Sequence, residues 1–68
     1  MLTTRTRPYR GYRITVLEIS GGPNGIVYAP DGTIVEEEIE GAGVQEVIVK
    51  AMRLVDDAIA AARRAADD

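Results

Sequence analysis

Few side chains in this 68-residue chain could do catalytic chemistry. The chain has no His and no Cys, and it has one Ser (Ser20) and one Lys (Lys50). General acid–base and nucleophilic catalysis most often use His, Cys, or a Ser or Lys activated by a neighbouring base. Ser20 lies in a Gly-rich stretch with no such base beside it in sequence. We therefore expect no catalytic residue, no metal site and no cofactor, and a protein that acts by binding.

Carboxylates are the remaining candidates for acid–base or metal chemistry. They cluster at residues 36–38 and 56–57, where sequence neighbours point in different directions on a strand or a helix. We interpret both clusters as solvated surface, because no calcium-loop pattern is present. The stretch 21–25 is rich in Gly, but it joins two predicted strands, whereas phosphate-binding loops open onto a helix. We predict an ordinary turn there.

Arg and Tyr are interleaved near the start of the chain, and this segment is a candidate nucleic-acid contact. Guanidinium groups bind phosphates and aromatic rings stack on bases. Residues 1–13 hold four Arg and no acid, whereas residues 14–68 hold four basic and eleven acidic residues. The acidic body disfavours nucleic acid as a partner, so we predict that residues 1–8 form a flexible basic arm and keep nucleic-acid binding as the alternative. The candidate residues are Arg5, Arg7, Tyr9, Arg10, Tyr12 and Arg13.

The run Tyr9-Arg10-Gly11 opens a predicted sheet that is followed by a helix. In this run and this order of elements, the chain resembles the plant AP2-type DNA-binding domain and the related amino-terminal domains of some phage integrases. The resemblance covers the order of the elements. It implies that Arg and aromatic side chains of the sheet would contact the major groove of DNA. The tryptophans of that family have no counterpart in this chain.

Three segments have the composition of β-strands. Residues 12–19 alternate and are rich in β-branched side chains, and residues 26–29 and 33–39 flank Pro30-Asp31-Gly32. That tripeptide suits a type I turn followed by a residue at positive φ, which predicts a hairpin. In the last strand Glu37 falls on the same side as Val35 and Ile39. Either Glu37 lies at the rim of the sheet or a bulge shifts the phase.

From Val44 the apolar period changes from two to 3.6, which predicts one long amphipathic helix. Glu46 in its first turn and Arg63 and Arg64 near its end suit the helix dipole. We therefore predict an α+β domain of βββα order over residues 9–68, a three-stranded antiparallel sheet followed by a carboxyl-terminal helix. The apolar stripe comprises Val44, Val47, Ile48, Ala51, Leu54, Val55, Ala58, Ile59 and Ala62.

One helix covers only one side of a sheet, so part of the apolar surface is expected to remain open. With Ile14 and Val16 towards the helix, alternation places Leu17 and Ile19 on the opposite face, where Ile26 and Tyr28 can join them. Leaving each such side chain in water forfeits roughly 1.5 to 3 kcal/mol. These four residues are the interface candidates. The alternative is a bulge near Leu17 that turns Leu17 and Ile19 inward.

These observations predict a small non-catalytic protein-interaction module that binds itself, or another protein, through its open sheet face or edge. Two alternatives remain: a nucleic-acid-binding domain that uses the Arg and Tyr segment, and a short acidic inhibitor of the kind mobile elements encode, which imitates nucleic acid. The chain has no apolar run of signal-peptide or membrane-spanning length. We therefore expect a cytoplasmic protein without a membrane partner.

Overall fold

The computed structural model describes residues 3–67, which form a four-stranded antiparallel sheet followed by one long helix. The predicted α+β class and the carboxyl-terminal helix are confirmed, but the sheet has four strands rather than three. The strands lie side by side in chain order. The elements are β1 (Thr3–Tyr9), β2 (Tyr12–Ile19), β3 (Gly22–Tyr28), β4 (Ile34–Glu40) and α1 (Val44–Asp67).

The additional strand, β1, occupies most of the segment expected to be a flexible arm, residues 1–8. Residues 3–8 pair with β2, and residues 1 and 2 lie outside the described residues. The turn that joins β1 to β2 is Arg10-Gly11, with φ of 52° and 87°. Positive φ at both positions is the two-residue type I′ hairpin turn, which usually contains Asn-Gly. Because Arg10 stands where Asn is usual, the sequence did not predict this hairpin turn.

Strand β3 begins earlier than predicted, because the turn after β2 is only Ser20-Gly21. The predicted turn over residues 21–25 is therefore wrong for residues 22–25, which are paired strand. Gly25 has a packing role within that strand. A Cβ there would lie 2.6 Å from Cγ1 of Val47 and 3.3 Å from Cβ of Ile39, so Gly lets the helix approach the sheet closely.

The predicted hairpin between β3 and β4 is confirmed. The Gly32 amide donates to the Ala29 carbonyl at 2.9 Å, and Gly32 has a φ of 93°. The Asp31 carboxylate accepts hydrogen bonds from the Thr33 amide at 3.0 Å and from the Thr33 hydroxyl at 2.7 Å. These bonds lower the pKa of Asp31 and hold the turn that places Tyr28 opposite Ile34.

Strand β4 is irregular, and of the two alternatives left by the sequence the structure shows a bulge. Its register with β3 shifts twice, and Glu38 has a φ of 61°. The shifts allow Ile39 to face the helix and become buried while residues 36–38 stay exposed. The bulge therefore separates the acidic part of β4 from the core.

The core is a single layer between one face of the sheet and α1, which packs on β2, β3 and β4. The predicted helix phase is confirmed for the first half of the stripe. Ala62 was expected to face the sheet, but residues 60–67 are all exposed because the helix extends past the core. The buried apolar side chains are Ile14, Val16, Val27 and Ile39 from the sheet and Val47, Ile48, Ala51 and Val55 from the helix.

We expect Val55→Ala to lower the free energy of unfolding by about 1 to 3 kcal/mol, because Val55 is 0% exposed and its truncation leaves a cavity. Val49 lies on the far side of the same helix and is 45% exposed. The matched control Val49→Ala should change stability by less than about 0.5 kcal/mol. Urea unfolding of both variants measures the difference, and equal losses would contradict the helix phase.

Candidate functional site

The sheet face opposite α1 is the candidate site and is called the outer face below. Strand β2 pairs with β1 over residues 12–18 and with β3 over residues 13–19, in both cases without a register break. Since Ile14 and Val16 are buried under the helix, strict alternation turns Leu17 and Ile19 to the outer face. The continuous register also excludes a bulge near Leu17, which was the alternative left by the sequence.

The strand register brings the four interface candidates onto this one face. Ile26 lies opposite Thr15, and Tyr28 lies opposite Arg13, so both side chains point away from the helix. Ile19 is 43% exposed, whereas Leu17, Ile26 and Tyr28 are partly buried by their neighbours on the sheet.

Ile34 is a fifth member of the outer face that the sequence interpretation missed. It lies opposite Tyr28 and is 53% exposed. The signal that could have found it is the three-residue loop 30–32, a type I turn followed by Gly32 at positive φ. Such a loop places Ala29 opposite Thr33, and therefore Tyr28 opposite Ile34. The bulge in β4 breaks the alternation of that strand, so alternation did not predict on which face of the sheet Ile34 lies.

The centre of the outer face is polar but internally bonded. Thr15 is only 9% exposed although it points away from the helix. Its hydroxyl lies 3.2 Å from the hydroxyl of Thr6 on β1, and such cross-strand Thr pairs stabilise a sheet. Beside them, Arg13, Tyr28 and Pro30 line a shallow depression that ends at the turn between β3 and β4. The outer face therefore combines apolar side chains with a bonded polar pair.

The nucleic-acid candidates do not form one surface. Arg5 and Arg7 lie opposite Val16 and Ile14, so their side chains are on the helix side of the sheet. Arg13 lies on the outer face. The two aromatic candidates, Tyr9 and Tyr12, pack against the border of the core.

The sixth candidate, Arg10, forms a cluster with Tyr9 and Asp56 of α1. The Arg10 guanidinium donates to the Asp56 carboxylate at 2.8 Å, and the Tyr9 hydroxyl donates to the same carboxylate at 3.0 Å. These bonds, that from Arg10 above all, hold the pKa of Asp56 below its ordinary value. The bond to Asp56 raises the pKa of Tyr9. The cluster fastens the tip of the first hairpin to the helix.

Within residues 3–67, no helix combines the length and apolar content needed to cross a membrane. The same residues contain no group of three or more His, Cys, Asp or Glu side chains placed to hold a metal ion. No family model, curated protein or solved structure matches the chain. A functional conclusion must therefore come from the geometry of the outer face and of the sheet edges.

We expect the cluster at Asp56 to make stability depend on pH in acid. Because the folded pKa of Asp56 lies below its unfolded value, its contribution is present above about pH 4 and is lost as pH falls through the folded pKa. Asp56→Asn should therefore flatten the fall in melting temperature between about pH 5 and pH 2. The control is Asp57→Asn, which should melt with the pH profile of the parent. An Asp56→Asn profile as steep as the parent's would show that the cluster is not formed in solution.

Proposed function

We propose that this chain is a small non-catalytic interaction module that binds a second copy of itself through the outer face. One observation carries the proposal: Leu17, Ile19, Ile26, Tyr28 and Ile34 share a sheet face that no element among residues 3–67 covers. A sheet packed on another sheet at a separation of about 10 Å would remove these side chains from water.

The energetics favour a weak and reversible contact. Burying a large apolar side chain contributes roughly 1.5 to 3 kcal/mol, and association costs at least 4 kcal/mol in lost freedom of movement. The two most exposed members, Ile19 and Ile34, have the most to gain, whereas the other three are already partly buried. We therefore expect a dissociation constant of tens of micromolar, about −6 to −7 kcal/mol.

The distribution of polarity on the outer face also suits a protein partner. Its apolar members, on β2, β3 and β4, lie beside a polar pair, Thr6 and Thr15, that is already hydrogen-bonded and needs no partner from outside. A charged side chain of this face, Arg13, lies beside the turns, where it would be at the rim of a contact. Interfaces between proteins commonly combine apolar side chains and satisfied polar groups with charged residues at the rim.

The alternative of nucleic-acid binding draws less support from the arrangement of its candidate residues. Stacking needs exposed rings, whereas Tyr9 and Tyr12 pack against the core and Arg10 is engaged by Asp56. The acidic-inhibitor alternative draws on the exposed glutamates of β4. The cytoplasm is proposed as the place of action on the grounds of the sequence alone.

Light scattering at ~100 μM protein tests the proposed contact, since this concentration exceeds the expected dissociation constant. The measurement is made in about 0.5 M salt, which screens contacts between exposed charges. We expect a dimer for the parent and a monomer for Leu17→Glu, because a buried unpaired carboxylate opposes association.

The matched control is Val49→Glu, which places the same charge on an exposed Val of the helix back. It should remain dimeric. A parent that is monomeric under these conditions, or a Leu17→Glu variant that is as dimeric as the parent, would contradict the proposal.

A further inference from the structure

The two edges of the sheet carry opposite charges. The first edge strand, β1, presents Arg5 and Arg7, here called the basic edge. The other edge strand, β4, presents four glutamates, here called the acidic edge. All of these side chains are exposed, and the acidic edge comprises Glu36, Glu37, Glu38 and Glu40.

These charges do not neutralise one another within a molecule. Three strand spacings separate β1 from β4, about 14 Å, whereas the screening length in physiological salt is about 8 Å. Within residues 3–67 the ion pairs are Arg10 with Asp56 and Lys50 with Glu46. Lys50 and Arg53 of α1 line the same groove as the acidic edge, and Lys50 donates to the Glu40 carbonyl at 2.7 Å. Two basic side chains against four glutamates leave that edge with an excess of negative charge, and none of the four carboxylates is in an ion pair in the described part of the chain.

The topology allows the two edges of different copies to meet in a regular way. Four antiparallel strands in chain order make β1 and β4 run in opposite directions. A second copy displaced sideways in the plane of the sheet would place its β1 antiparallel to β4 of the first. Both helices would then lie on the same side of a continuous sheet.

The facing of the side chains fits this arrangement. Arg5 and Arg7 lie opposite Val16 and Ile14, so they point to the helix side. Glu36 lies opposite the buried Val27, so it points to the helix side as well. Across a shared ladder, side chains on the same side of neighbouring strands approach to about 5 Å, where opposite charges attract.

We propose that the basic edge of one copy binds the acidic edge of a second copy. The contact is separate from the proposed outer-face contact and uses different residues. It joins unlike surfaces, so repetition produces a ring or an open chain of molecules rather than a closed two-fold dimer.

Two features keep the shared ladder short. Pro8 has no amide hydrogen to donate, and the bulge at Glu38 interrupts β4. On the free edge of β1 the amides of Thr4 and Thr6 point outward, because hydrogen-bonded and open positions alternate from the pair that closes the hairpin, Tyr9 and Tyr12. With so few backbone bonds, ion pairs dominate the contact, and salt must weaken it.

The test uses the Leu17→Glu protein, in which the outer-face contact is disabled, at ~100 μM and about 50 mM salt. We expect reversible assembly in sedimentation velocity that weakens at least tenfold when salt is raised to about 500 mM. The double substitution Arg5→Glu, Arg7→Glu should abolish it, because both edges are then negative. Glu36→Lys, Glu37→Lys should also abolish it, because two Lys against the remaining Glu38 and Glu40 leave β4 with no net charge to attract the basic edge. Glu38 is left intact on account of its positive φ.

Mixing the two variants should restore assembly into mixed pairs, because the unaltered basic edge of the Glu36→Lys, Glu37→Lys protein then meets the unaltered acidic edge of the Arg5→Glu, Arg7→Glu protein. This result also shows that both variants are folded, and Arg63→Glu, Arg64→Glu is the control for charge away from the edges. A monomeric Leu17→Glu protein at low salt, or no restoration on mixing, would overturn the edge contact. The outer-face contact would still stand if the parent remained dimeric in high salt.

Discussion

One helix cannot cover both faces of a four-stranded sheet, and the rest of this structure follows from that constraint. Helix α1 lies over β2, β3 and β4 on one side, and the lack of a side chain at Gly25 allows its close approach through Val47. The core is therefore a single layer of Val, Ile and Ala. Strands β2 and β3 carry apolar side chains on both sides, and the outer face has no covering element among residues 3–67.

The cluster of Tyr9, Arg10 and Asp56 links that core to the first hairpin. Strand β1 is an edge strand that α1 scarcely touches, so the bonds from Tyr9 and Arg10 to Asp56 tie its turn to the helix. Exposed ion pairs contribute little individually, but here one carboxylate accepts from two side chains. The same bonds engage two of the residues that a nucleic-acid contact would need, which is why we propose an interaction module rather than a nucleic-acid-binding domain.

Local patterns in the sequence predict a large part of this fold. The alternation of apolar residues predicts strand β2, and the 3.6-residue apolar period predicts helix α1. Alternation also predicts which sheet face carries Leu17, Ile19, Ile26 and Tyr28. Strand β1 was missed because its hairpin turn has Arg10 at a positive φ, a position where Asn or Gly is the usual sequence signal of a turn. The bond from Arg10 to Asp56 joins residues 46 positions apart. A periodic pattern within one strand or helix cannot predict a contact between residues so distant in sequence. The charged edges emerge only when the strand order is known, since β1 and β4 are distant in sequence and lie at opposite ends of the sheet.

The central proposal is that a second copy covers the outer face. Isotope-filtered nuclear Overhauser spectroscopy on an equal mixture of labelled and unlabelled chains tests it most directly. The sample contains about 0.5 M salt, which screens contacts between charges. We predict intermolecular contacts from the methyl groups of Leu17, Ile26 and Ile34 to protons of the same face. Intermolecular contacts confined to Val49 and the helix back, or none at concentrations where the outer face should be occupied, would contradict it.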